Sequence, residues 1–234
     1  MTRRPGVPSP YGRPRSGIPA SWRGGLTLGL STLLVLVLWD TVLAWPWKIL
    51  VVLFHECGHA FAALVTGGKV MELSVNPWQG GHTLAAGGSR FLTLNGGYLG
   101  SLLAGVALLA GVRRPKAARG AAVLLGGVLT LAALLWVPVV SFGFVFTVLA
   151  AAGFLVLGRR SDPHLAMVVV RTLGVFSVLY AFVDIRDDVF GAPAGAVTDA
   201  TLLAQYTGLP APLWGLLWLG AGAGVLWKMR RSLV

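Results

Sequence analysis

Charged residues are scarce in this chain of 234 residues: Asp, Glu, Lys and Arg make up 12% of it, against 56% hydrophobic residues. A water-soluble domain is about a quarter charged, so this composition excludes an ordinary soluble surface. Mean hydropathy is correspondingly high, at +0.76. Cysteine is confined to Cys57, which excludes an internal disulfide. Acidic residues are outnumbered 8 to 19 by Lys and Arg, giving a net charge of +11. The basic residues lie in short caps and loops: Arg3, Arg4, Arg13, Arg15 and Arg23 early in the chain, then Arg113, Arg114, Lys116 and Arg119. Cations so placed flank membrane segments and do not form a nucleic-acid face, so no nucleic-acid partner is expected.

What the chain does have is apolar runs near the length needed to span about 30 Å of hydrocarbon. They fall at 25–43, 45–65, 96–112, 121–137, 139–157, 165–183 and 213–227. Several are at the short end of the spanning range, so the fold class is an all-α polytopic membrane protein with about 6–7 transmembrane helices. Trp22, Trp39, Trp45, Trp47, Trp136 and Trp227 cluster near segment ends, as in an interfacial belt. The charges leave the orientation open. Seven crossings would put the basic start and the basic end, Lys228–Arg231, on opposite faces.

Residues 1–23, rich in Pro, Gly and Arg, read as a disordered basic tail. No small-residue cleavage site follows it, which favours an uncleaved first helix over a signal peptide. Residues 24–231 form one integral membrane domain: a motif helix at 45–66, a strand-like or re-entrant segment at about 68–95, helices over 96–190, a loop at 191–210 and a last helix at 211–229. Within the strand-like segment Met71, Leu73 and Val75 alternate with Val70, Glu72 and Ser74. Asn76-Pro77, Gly80-Gly81 and Gly87-Gly88 punctuate it as turns, leaving 82–86 and 90–94 as further short strands. Gly97, Ser101 and Gly105 recur at helical spacing and read as a packing face between membrane helices.

The chemistry sits in the second apolar run, at His55-Glu56-Cys57-Gly58-His59. Residues four apart share a helix face, so His55 and His59 can offer two imidazole nitrogens to one metal. Glu56 is about 100° round the helix and can reach a water on that metal. Cys57 points away from the pair and reads as a small packing residue. Ionisable side chains in an apolar helix are costly and mark functional sites.

A catalytic zinc site takes three protein ligands and keeps a fourth position for water. The third is sought in Asp184-Ile185-Arg186-Asp187-Asp188, at the end of the run 165–183. If that helix runs parallel to the motif helix, Asp184 lies at the depth of His59 and is the expected ligand, with Asp187, Asp188 and His82 as alternatives. Asp187 and Asp188 read better as a solvated helix end balanced by Arg186. His164 reads as exposed, and Arg171 and Asp40 as side chains that snorkel from segment ends.

Phe54-His55-Glu56-Cys57-Gly58-His59-Ala60, Thr66-Gly67-Gly68-Lys69-Val70, Gly96-Gly97-Tyr98-Leu99-Gly100 and Val183-Asp184-Ile185 together resemble the site-2-protease-type intramembrane zinc metallopeptidases. The likeness is to the compact bacterial branch without an inserted PDZ domain. Asp184 is followed by Ile185 and Arg186, in place of the family's late Asp-Gly pattern. The resemblance implies a zinc endopeptidase that cleaves membrane-protein substrates within or near the bilayer, with Glu56 as general base and zinc on His55, His59 and Asp184. It also implies an edge strand from 70–94 that holds the unwound substrate, with Asn76 or Asn95 available to its backbone. The alternatives are a non-proteolytic metal-binding membrane protein and a small transporter lined by His55, Glu56 and Asp184. The Ala-, Gly- and Arg-rich composition looks like that of a GC-rich bacterium, and the expected location is the bacterial plasma membrane.

Overall fold

The computed structural model describes residues 20–193 and 195–233, with the side chains of 29–193 and 195–229. The expected basic tail lies outside the described residues as far as residue 19. Eight α-helices and one hairpin follow among these residues, with α6 continued by a π-helical turn at Asp187–Gly191: α1 (Ala20–Leu38), α2 (Trp45–Val65), β1 (Lys69–Val75), β2 (Gly81–Ala86), α3 (Arg90–Gly111), α4 (Pro115–Leu135), α5 (Phe142–Arg160), α6 (Pro163–Arg186), α7 (Asp199–Thr207) and α8 (Ala211–Leu233). Five of them, α2 to α6, are long and apolar enough to cross a membrane. The bent pair α7 and α8, at 114°, makes a sixth span if counted as one, and the described part of α1 adds an apolar helix at Gly29–Leu38. This is a polytopic all-helical membrane fold with a small sheet.

Helix ends follow local chemistry. Ser89, Ser141 and Asp162 accept first-turn backbone N–H groups of α3, α5 and α6, and Pro163 follows Asp162 at the start of α6. Gly67, at φ 83°, ends α2 in the left-handed conformation that glycine tolerates. Arg119 of α4 closes the end of α5, its Nε 2.7 Å from the Gly158 carbonyl oxygen. Arg171 of α6 similarly reaches the last carbonyls of α3, 3.1 Å from the Val112 oxygen, so it serves as a helix cap.

Packing centres on α2, α3 and α6. Ile49, Val51 and Leu53 of α2, Leu102 and Val106 of α3 and Val170 and Leu173 of α6 are buried together. The helices approach at their backbones. A β-carbon on Gly58 of α2 would lie 3.2 Å from Gly100 Cα and 3.0 Å from the Gly96 carbonyl carbon of α3. The stripe of small residues performs the expected packing: Gly105 abuts the Gly174 carbonyl of α6, and Ser177 donates to the Ser101 carbonyl at 2.6 Å. α2 and α6 run in the same direction, as required for a depth match. Trp47 stacks on Phe176 with ring centroids 5.7 Å apart, and about two turns later His55 meets Asp184.

β1 and β2 pair antiparallel, from Lys69 opposite Ala86 to Val75 opposite Gly81. Leu73 and Val75 are buried as the alternation suggests, but Met71 is exposed because a bulge between Val70 and Glu72 shifts the register. The outer edge of β1 is held in part by α4, with the Leu73 N–H 3.0 Å from the Trp136 oxygen. Two readings change. Residues 90–94 are the first turn of α3 and not a third strand, because Gly87 and Gly88 turn the chain at positive φ and Ser89 caps the helix. The expected loop at 191–210 contains α7, started by a capping box of Thr198 and Thr201.

Candidate metal centre

The spacing on α2 delivers what it promised locally. His55 and His59 lie on one face with ring centroids 4.7 Å apart. They and Glu56 are buried, at 9%, 7% and 4% exposure. All three border a cavity of about 410 Å³, lined on other sides by Gly81, Thr83, Asp184, Asp188 and Asp199.

Asp199, the first residue of α7, brings Oδ2 to 2.9 Å from Nε2 of both His55 and His59. The sequence reading does not single it out. Among the described residues these three form the one group whose ligand atoms lie within 4.8 Å of one another. Two imidazole nitrogens and a carboxylate oxygen are a zinc donor set. The hydrogen-bond inventory fits a cation as well. His59 Nδ1 lies 2.7 Å from the Thr93 carbonyl oxygen, which can only accept, so Nδ1 carries the proton. A neutral His59 then turns a lone pair towards a carboxylate oxygen, an arrangement that a cation between them resolves. Gly97 of α3 leaves the room: a β-carbon there would fall on His55 Nε2 and lie 2.5 Å from His59 Nε2.

Asp184 also reaches the site, on the other edge of a ring. Its Oδ2 is 3.4 Å from His55 Nδ1, outside the group of three ligand atoms. The alternatives take other partners. Asp187 pairs with Arg186 at 2.7 Å. Asp188 accepts from the Tyr98 hydroxyl, and the buried Tyr98 ring stands edge-on to His55. His82 lies 3.1 Å from Glu72 across the hairpin.

Glu56 is held ready for a different task. Thr83 Oγ1 of β2 lies 2.8 Å from its Oε2 and 3.0 Å from its own carbonyl oxygen. Gly81 leaves space at the other oxygen, since a β-carbon there would stand 2.6 Å from Oε1. Asn76 accepts from the N–H groups of Trp78 and Gly80 as a turn residue. Asn95 accepts from the Trp218 indole at 2.7 Å. Both asparagines are committed to the fold. Cys57 is half-buried against the apolar core, as its position on the helix suggested.

A family model described as Peptidase M50B-like matches residues 28–229. No curated protein and no solved structure matches the chain.

Proposed function

The chain belongs to the Peptidase M50B-like family, and on that premise we propose that it is a membrane-embedded zinc endopeptidase acting on membrane-protein substrates. The observation that carries this reading is the meeting of His55 Nε2, His59 Nε2 and Asp199 Oδ2 beside a buried Glu56 in one cavity. His55, His59 and Asp199 would hold the ion. Zinc in such a site supplies Lewis-acid activation of water and of the scissile carbonyl.

Glu56 is the general base. Its Oε2 is fixed by Thr83, so Oε1, facing the open space at Gly81, takes the proton of the attacking water and returns one to the leaving amine. The substrate reaches these groups as an extended segment. No strand lies beyond β2 among the described residues, and Gly81, His82 and Thr83 of β2 line the cavity. An unwound substrate added along β2 presents its backbone to Glu56 and the ligand group. Burial in an apolar bundle restricts access to substrates that are themselves in or beside the bilayer.

The test is made on purified chain in reconstituted vesicles with a transmembrane-helix model substrate. The wild type should hold about one zinc and cleave. Glu56→Gln should hold the same zinc and cleave about 100- to 10,000-fold more slowly. Zinc without any cleavage by the wild type would leave a metal-binding membrane protein and end the peptidase reading.

A further inference from the structure

We propose that Asp184 is a positioning residue for His55, accepting the Nδ1–H of the ring and so holding Nε2 unprotonated towards the metal. The inference rests on the metal-centre reading above and assigns a role to a carboxylate outside the ligand group. His55 Nδ1 is buried and has no hydrogen-bond partner within ordinary limits. The charged atom facing it is Asp184 Oδ2, at 3.4 Å. Nε2 of the same ring is already turned to Asp199. The two ring nitrogens point in divergent directions, so a carboxylate against Nδ1 stands apart from whatever Nε2 holds.

The neighbouring histidine shows the completed arrangement. His59 has Nε2 on Asp199 and Nδ1 on the Thr93 carbonyl oxygen. Metal-binding histidines generally donate their second ring N–H to a carbonyl or a carboxylate, which fixes the tautomer and makes the ligand nitrogen more basic. In this pair α3 supplies the carbonyl and α6 the carboxylate. Catalytic hydrogen bonds are commonly long until the site is filled, and a gap of 3.4 Å closes with a small movement of either side chain.

The fold holds Asp184 in place beside a second, polar cavity. Stacking of Trp47 on Phe176 sets the register between α2 and α6 from which His55 and Asp184 project. Asp184 lines both the catalytic cavity and a second cavity of about 460 Å³, whose wall includes Asp40, Lys48, Gln79 and Arg186. A carboxylate facing that polar space retains partners for the oxygen that His55 does not use.

The experiment compares wild type, Asp184→Asn, Asp184→Ala and Asp199→Asn by zinc competition against a chelator and by nitrogen-15 NMR of labelled histidine. Asp184→Ala should keep one zinc at about 10- to 100-fold weaker affinity and lose the protected His55 Nδ1–H signal. Asp184→Asn retains an acceptor oxygen and should fall between wild type and Asp184→Ala on both measures. Asp199→Asn should lose more zinc affinity than either while keeping the Nδ1–H signal. An unchanged affinity and an unchanged signal in Asp184→Ala would overturn the proposal. So would loss of zinc in Asp184→Asn with retention in Asp199→Asn, which would make Asp184 the ligand. A wild type that takes up no zinc would sink the functional reading. In that case the Nδ1–H signal of the metal-free wild type and Asp184→Ala still decides the hydrogen bond.

Discussion

Two of the converging ligand atoms come from α2 and one from α7, and these helices are built differently. α2 is 21 residues long, with eleven of them buried, and its backbone is in contact with α3 at Gly58. α7 has nine residues, of which Ala200 and Leu203 are buried. It is fixed at its ends, by the Thr198–Thr201 capping box and by Gly208 in the left-handed conformation. A 3.1 Å hydrogen bond from the Trp214 indole to Thr207 adds a tie to α8. The histidines therefore ride on the most deeply buried of the five spans, and the carboxylate on a short helix that buries two side chains. A metal held between them would join the core to its periphery, so binding should stabilise α7 far more than α2.

The strongest way to break this contrast is to remove the carboxylate on α7. Asp199→Ala should weaken zinc binding by well over about 100-fold, the ceiling for partners that act only through another ligand. Hydrogen exchange across 199–207 should then lose its zinc dependence, while exchange in α2 stays slow with and without metal. Equal exchange in both helices would mean that α7 is as rigid as α2.

A smaller effect is expected from the core side. Gly58→Ala forces apart the backbones of α2 and α3, because its β-carbon meets the Gly96 carbonyl. It should cost about 1–3 kcal/mol of stability, measured by thermal unfolding in detergent. The smallest comes from the α7 cap. Thr198→Ala removes the acceptor for the Thr201 N–H and should cost about 1 kcal/mol. That loss should appear as faster local exchange at α7 with little change in the global midpoint.

The run 45–65 coincides with α2, because length and apolarity alone specify a buried membrane helix. His55, Glu56 and His59 were readable because helical geometry fixes their relation within one turn. The parallel course of α2 and α6 was also readable, but Asp184, expected at the depth of His59, stands beside His55 one turn earlier. Residues 90–94 read as a strand because they are a short stretch between two glycine pairs, 87–88 and 96–97, and the second pair lies inside α3. In a membrane bundle such residues let helices touch, and here they accommodate Gly58 and the histidine pair. Asp199 carried one local signal, its place in the first turn after Thr198, and that marks a helix start without saying where the helix docks.

The sequence by itself determined a polytopic helical membrane chain, two histidines on one helix face with a glutamate about 100° round from them, and a short strand after it. Each of these follows from spacing within a single element or from the cost of polar groups in hydrocarbon. Tertiary structure alone decided which carboxylate faces Nε2 and which faces Nδ1. That choice depends on a 114° bend between α7 and α8 that returns a short helix to the bundle. It also depends on the register of α6 against α2, where Trp47 stacks on Phe176 about two turns before His55 and Asp184. Contacts between residues as distant as His55 and Asp199 are fixed by the packing of whole helices, and no local pattern in the chain records them.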